Sequence, residues 1–199
     1  FILTVNPINN APIVILELND ITVDEDSPDE TIDLSYHFAD IDSENLSYTI
    51  LEELELLTTS VSGDLLTLSF VPDLNGTGEV TVTASDGVLS TESSFVLTVN
   101  PVNDAPVVDT IDAQSIDEDT PFELLLSASD IDGDQLTFSA SVDGNATASV
   151  EGNNLTVVPD NNYFGDVQVT VVVSDGQLTD QTSFILTVNP INNAPIVIL

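Results

Sequence analysis

The stretch "EVTVTASDGVLSTESSFVLTVN", Glu79 to Asn100, decides the fold. Val80, Val82 and Ala84 alternate with Thr81 and Thr83, and Phe95, Leu97 and Val99 recur at every second position. A period of two sends successive side chains to opposite faces, so each run predicts a β-strand with one buried face. Asp86 and Gly87 lie between the runs and are turn formers. "DLLTLSFVP" at Asp64–Pro72 shows the same alternation, with the β-branched and aromatic residues that strands favour. Further along, "NNLTVVPD", "DVQVTVVVSDG" and "TSFILTVN" repeat all three runs.

That recurrence is part of a longer one. "FILTVNPINNAPIVIL" occurs at Phe1–Leu16 and, letter for letter, at Phe184–Leu199, with a looser copy at Phe95–Thr110. Asn9, Asn103 and Asn192 hold equivalent places, spaced by 94 and 89 residues. "VDEDSP" (Val23–Pro28) returns as "IDEDTP" (Ile116–Pro121), and "ADIDSENLSY" (Ala39–Tyr48) as "SDIDGDQLTF" (Ser129–Phe138). "VPDLNGTGEV" (Val71–Val80) returns as "VPDNNYFGDV" (Val158–Val167). The expected division is residues 1–8 as the last strand of a preceding unit, 9–102 and 103–191 as two full units, and 192–199 as the start of the next. About seven short strands per unit suit an all-β, Greek-key, immunoglobulin-like sandwich, in a linear array. "ILEELELL" at Ile50–Leu57 is read as a strand and bend, and His37, inside "TIDLSYHFAD", as a strand residue.

Composition narrows the function. The chain has 35 Asp and Glu, no Lys or Arg, and a formal charge of −35. With 42% apolar residues in an alternating pattern it can still bury a core, so disorder is not the expectation. Nucleic-acid and anionic-membrane binding both rest on Lys and Arg, and both are excluded. There is no Cys, so neither disulfides nor thiolate sites can form. One His and no Cys or Lys leave little for nucleophilic catalysis, so no enzyme is expected. No run approaches a membrane span. Asn45, Asn75, Asn145 and Asn154 each begin an N-x-S/T triplet, which matters only where secreted proteins are glycosylated.

The order E-D-x-P, D-x-D, P-D and S-D-G, present twice and followed by N-D-A-P the first time and N-N-A-P the second, resembles the cadherin repeat, and most of all the cadherin-like modules of large bacterial surface adhesins. The resemblance implies calcium ions between consecutive units. For the central junction it implies Glu25, Asp73, Asn103, Asp104, Asp130, Asp132 and Asp175 as ligands. For the preceding junction it implies Asn9, Asn10, Asp40, Asp42 and Asp86, and for the following one Glu118, Asp160, Asn192 and Asn193. The outer linkers carry neutral Asn10 and Asn193 where the middle one carries Asp104, so they are expected to hold fewer ions or hold them less tightly.

Physical chemistry points the same way. Calcium takes six to eight oxygen ligands, which these residues supply. Two carboxylates about 4 Å apart repel by roughly 4 kcal/mol at a surface-like dielectric, and chelation removes that cost. An EF-hand beginning at Asp130 is excluded, because its sixth and twelfth positions are Gln135 and Ser141. The expected function is a calcium-stiffened extender in a long extracellular adhesin or surface fibre, whose partners are calcium and the neighbouring repeats. Two alternatives are a matrix protein that pairs laterally with copies of itself and a carbohydrate-binding module.

Overall fold

A computed structural model describes residues 8–192. The chain divides into two compact units, with the boundary between Val102 and Asn103. In the first, β1 (Ile13–Val14), β2 (Ile21–Asp24), β3 (Glu30–Asp33), β4 (Phe38–Ala39) and β5 (Ser47–Leu51) precede β6 (Leu57–Ser62), β7 (Leu65–Phe70), β8 (Gly76–Ser85) and β9 (Ser90–Asn100). One sheet has the order β2-β9-β8-β5, and a second runs β3-β7-β6, with β1 paired to β4 beside it. β2 lies parallel to β9, from Ile21 opposite Leu97 to Asp24 opposite Asn100, and the remaining pairs are antiparallel.

The quoted stretch is the spine of this unit. β8 and β9 form a hairpin, paired from Gly76 opposite Val99 to Ser85 opposite Ser90. Val80, Val82, Ala84, Phe95, Leu97 and Val99 are buried, and they meet Leu66 and Leu68 from the facing sheet. "ILEELELL" divides as the alternation requires: β5 ends at Leu51, an irregular bend follows, and β6 starts at Leu57. The bend lays Leu54 over Gly78, where a Cβ would come within 2.2 Å of Leu54 Cδ2.

His37 is a correction. It closes a 3-10 turn, Leu34–Tyr36, rather than lying in a strand. Asp33 caps that turn by accepting from the Ser35 N–H at 3.1 Å. The second unit shows why alternation misled. Leu34 N–H donates to Asp64 O and Val14 pairs with Phe38, just as Leu126 N–H donates to Asn153 O and Val108 pairs with Ala128. Three residues separate the anchors in the first unit and one in the second, so the surplus is taken up as a turn. His37 Nδ1 sits 3.0 Å from Leu16 O, which can only accept, so Nδ1 carries the proton.

The second unit repeats the plan with β10 (Val107–Val108), β11 (Gln114–Asp117), β12 (Phe122–Leu125), β13 (Ala128–Ser129) and β14 (Thr137–Val142). β15 (Ala146–Glu151), β16 (Asn154–Pro159), β17 (Gly165–Ser174) and β18 (Thr179–Asn189) complete it. Its sheets are β11-β18-β17-β14 and β12-β16-β15, with β10 paired to β13. A separate core is built on Leu155, Val157, Val167, Val169, Val171, Val173, Phe184, Leu186 and Val188. Each unit is thus an immunoglobulin-like sandwich with its own interior.

Candidate functional site

At one end of the first unit the β8–β9 hairpin turns through Asp86 and Gly87. Asp86 Oδ1 accepts from the N–H groups of Val88 at 2.7 Å and Leu89 at 2.8 Å, which fixes the carboxylate to its own turn. Its Oδ2 accepts from Asn9 Nδ2 at 2.8 Å. Beside it, Asn10 donates twice to Asp42 Oδ2, from its backbone at 2.8 Å and its side chain at 2.7 Å. Asp40 Oδ1 accepts from the N–H groups of Asp42 and Ser43 at 2.6 and 2.8 Å. The five residues expected for the preceding junction therefore gather at one end of one unit.

The second unit reproduces this end. Asp175 Oδ1 accepts from the N–H groups of Gln177 and Leu178, both at 2.6 Å, and its Oδ2 from Asn103 Nδ2 at 2.8 Å. Gln177 Nε2 holds the other side of the Asn103 carboxamide at 2.8 Å. Asp104 N–H donates to Asp132 Oδ2 at 2.8 Å. Asp130 Oδ1 accepts from Asp132 and Asp134 N–H groups at 3.0 and 3.3 Å. Asp130, Asp132 and Asp134 each offer a carboxylate oxygen within 4.8 Å of the others.

One pair of equivalent atoms stands out among the described residues. Asp40 Oδ2 and Asp130 Oδ2 are buried with no hydrogen-bond partner. They occupy the same place in the two repeats, the first Asp of "D-I-D". A buried carboxylate oxygen without a donor is costly. No Lys or Arg exists anywhere in the chain to neutralise it. With carboxylate oxygens of Asp132 and Asp134 near Asp130, the second of these places has the donor type that hard divalent cations take.

The hairpin-turn acids have a distinct titration. Backbone N–H donation from Leu89 and Val88, followed by the Asn9 amide, holds the Asp86 carboxyl below its ordinary 3.8. The Asn103 amide, followed by the Gln177 N–H, does the same for Asp175. A lowered folded-state value means that these contacts stabilise the fold above the ordinary value and lose their effect as pH falls through the lowered one. The Leu89 and Leu178 amide shifts, followed by NMR, are expected to titrate with midpoints below 3.8. A midpoint at or above that value would contradict this account of the turns.

The opposite end of each unit carries a buried glutamate. Glu25 and Glu118 are each 4% exposed. Glu25 Oε1 accepts from Val102 N–H at 2.5 Å, and Asn75 Nδ2 reaches its Oε2 at 3.3 Å. Asp73, in the same turn as Asn75, donates its N–H to Asp26 Oδ1 at 3.3 Å. Glu118 Oε1 accepts from Ile191 N–H at 2.8 Å, next to Asn192. Asn193 lies outside the described residues.

Asp160 needs a correction. Matching "VPD" to "VPD" pairs it with Asp73, but the strand register does not. Gly76 faces Val99 and Gly165 faces Val188, so these two glycines are equivalent and Asp73 corresponds to Asn162. The backbone agrees, with φ of 58° at Asp73 and 56° at Asn162. The hydrogen bonds agree too, since Asn162 N–H donates to Asp119 Oδ1 at 2.9 Å as Asp73 N–H does to Asp26. Asp160 corresponds to Val71, each donating its N–H back to the preceding strand connection, Asn145 O and Leu56 O. The second unit thus has a neutral residue where the first has Asp73.

The family described as "Bacterial Ig domain" matches residues 9–100 and again residues 103–187. The chain belongs to that family. It carries two Ig domains in tandem, one after the other along the sequence. Chitinase A of Pseudoalteromonas piscicida is 34% identical over 112 residues, which is 55% of this chain and 14% of that protein. The Ig domains therefore match a small part of that much longer relative. Among solved structures, human protocadherin-24 EC1-2 is similar over 94% of this chain and 100% of its own, at 18% identity and a TM-score of 0.53. An endo-fucoidan hydrolase of glycoside hydrolase family 107 is similar over 95% of this chain and 30% of its own, at 22% identity and a TM-score of 0.43.

Sequence reading passed over several residues that the Ig domains place at their ends. Asp26 and Asp119 have positive φ, 61° and 58°, and aim a carboxylate at the neighbouring turn. The signal was present as the third acid of "DED", taken only for its glutamate. Asp134, two residues beyond "D-I-D", joins the same group of carboxylates.

Proposed function

We propose that these Ig domains are a calcium-stiffened spacer in a secreted or surface-exposed repeat protein, holding some other module away from its anchorage. The observation that carries this reading is the pair of partnerless buried oxygens, Asp40 Oδ2 and Asp130 Oδ2, at the same place in both domains. Around the Asp130 oxygen, Asp104, Asp132, Asp134 and Asp175 would hold the ion, with Asn103 orienting Asp175. Glu25, Asp26 and Asp73 lie together at the end of the first domain that leads into the linker. Calcium would supply positive charge to a segment that has none of its own, and so stiffen a linker that would otherwise flex. Extracellular calcium sites work at dissociation constants on the order of 10⁻⁴–10⁻³ M, which matches a location outside the cell.

The test is small-angle scattering on the chain in calcium and in EDTA at matched ionic strength. The spacer reading expects a longer, better-defined maximum dimension with calcium. An identical maximum dimension in both buffers would contradict it. A doubled mass in calcium would favour lateral pairing of copies instead.

The match to Chitinase A supports a second reading, in which the spacer belongs to a secreted polysaccharide-degrading enzyme with its catalytic module elsewhere. Both readings assign the same mechanical work to these residues. Saturable binding of chitin fragments by the two domains alone would show that they also grip the substrate.

A further inference from the structure

From the buried glutamates we infer that Glu25 and Glu118 latch the exit of each Ig domain, presetting the linker direction before any metal arrives. The inference deepens the spacer reading but is read out without calcium, so the two can fail separately.

The geometry is the same twice. After β9 ends at Asn100, the chain leaves through Pro101 and Val102. The Glu25 N–H donates to Asn100 O at 2.9 Å, and its Oε1 accepts from Val102 N–H. One residue therefore grips the exit segment at two points, by its backbone and by its side chain. After β18 ends at Asn189, Glu118 N–H donates to Asn189 O at 2.8 Å and its Oε1 accepts from Ile191 N–H at 2.8 Å. Between the two gripped residues lies a proline in each case, Pro101 or Pro190, whose ring fixes φ and whose nitrogen has no hydrogen to offer. The first N–H available after each strand is therefore the one the glutamate takes.

Position and burial explain why a carboxylate is used. β2 and β11 run parallel to the last strand and end opposite Asn100 and Asn189, so the ladder stops where the exit begins. A glutamate in the next position extends the pairing by one side chain. A charged acceptor in a site only 4% exposed makes a stronger hydrogen bond than a neutral one in water. The same carboxylates that would later face calcium thus already work as positioning residues in its absence.

Amide hydrogen exchange in EDTA, on the whole chain, tests this. In the wild-type protein the Val102 amide is expected to be protected, although it lies beyond the last strand. Glu25→Gln keeps an acceptor oxygen, and Asn75 can turn its amide over to accept from the new N–H, so Val102 protection should survive. Glu25→Ala and the shorter Glu25→Asp should speed its exchange by roughly tenfold or more, while the β8–β9 amides keep theirs. The Glu25→Asp variant serves if Glu25→Ala unfolds the domain. The latch is overturned if Val102 exchanges freely in the wild type, or if Glu25→Gln exposes it as much as the other variants.

Discussion

Replacing Asp130 by asparagine is expected to raise the melting temperature of the calcium-free protein while removing most of its response to calcium. Asp130 Oδ1 accepts two backbone N–H groups, and the asparagine oxygen can take over both. Its Oδ2 is buried and has no donor, close to the carboxylates of Asp132 and Asp134. An amide nitrogen there turns an unsatisfied acceptor among acids into a donor among acids. Relief of an unsatisfied buried group is worth about 1–3 kcal/mol. In a domain of this size each kcal/mol moves the melting temperature by about 4–8 °C. The lost charge at the centre of the oxygen cluster should in turn cut calcium-dependent stabilisation, which grows by mass action as the metal binds the folded state. Thermal melts in EDTA and in calcium measure both effects. Asp143→Asn is the control, because it removes a charge from an acid whose known contact is an ordinary one to Gln168 N–H at 3.0 Å. If Asp130→Asn and Asp143→Asn behave alike, general charge reduction explains the result and the special place of Asp130 is lost.

The second large effect concerns the cores. Leu97 and Leu186 are fully buried at equivalent positions in the two domains, and they belong to separate hydrophobic clusters. Truncating either to alanine should cost about 2–5 kcal/mol, a large share of the stability of a small domain. Because the cores share no residue, Leu97→Ala should lower one calorimetric transition and Leu186→Ala the other, and the double variant should be additive. Equal displacement of both transitions by either substitution would contradict two independently packed domains.

The sandwich was readable because burial imposes a period of two over the long strands. Val80, Val82 and Ala84, or Val169, Val171 and Val173, face inward at every second position, and no other local structure fits that spacing. Reading failed where length rather than pattern governs. The three residues between Leu34 and Phe38 alternate acceptably, but they exceed the extended path between two fixed pairings and fold into a turn instead. In the same way, "VPD" recurs as letters although the strands it joins hold it two positions out of register, which misplaced Asp160 and hid Asn162.

The candidate site was legible to the same extent. Asp40 and Asp86, with their counterparts Asp130 and Asp175, sit in turns whose own backbone amides need acceptors, so local sequence places them, whereas Asp42, Asp132, Asn9 and Asn103 find partners distant in sequence. Asp26 and Asp119 depend on a positive φ at the foot of the domain, which the "DED" triplet permits but does not announce. In a chain with no Lys or Arg, backbone N–H groups are the usual donors to its acids, and the proposed cation would meet the Asp40 and Asp130 oxygens that find none.

Calorimetric titration of the intact chain with calcium chloride, at an ionic strength held constant with sodium chloride, addresses that point most directly. Saturable binding is expected, with dissociation constants on the order of 10⁻⁴–10⁻³ M or tighter, and much weaker binding of magnesium, which tolerates irregular oxygen cages poorly. Heats that match those of added sodium chloride, or equal responses to both divalent ions, would mean that the acids are merely screened, and the metal-stiffened spacer would be wrong.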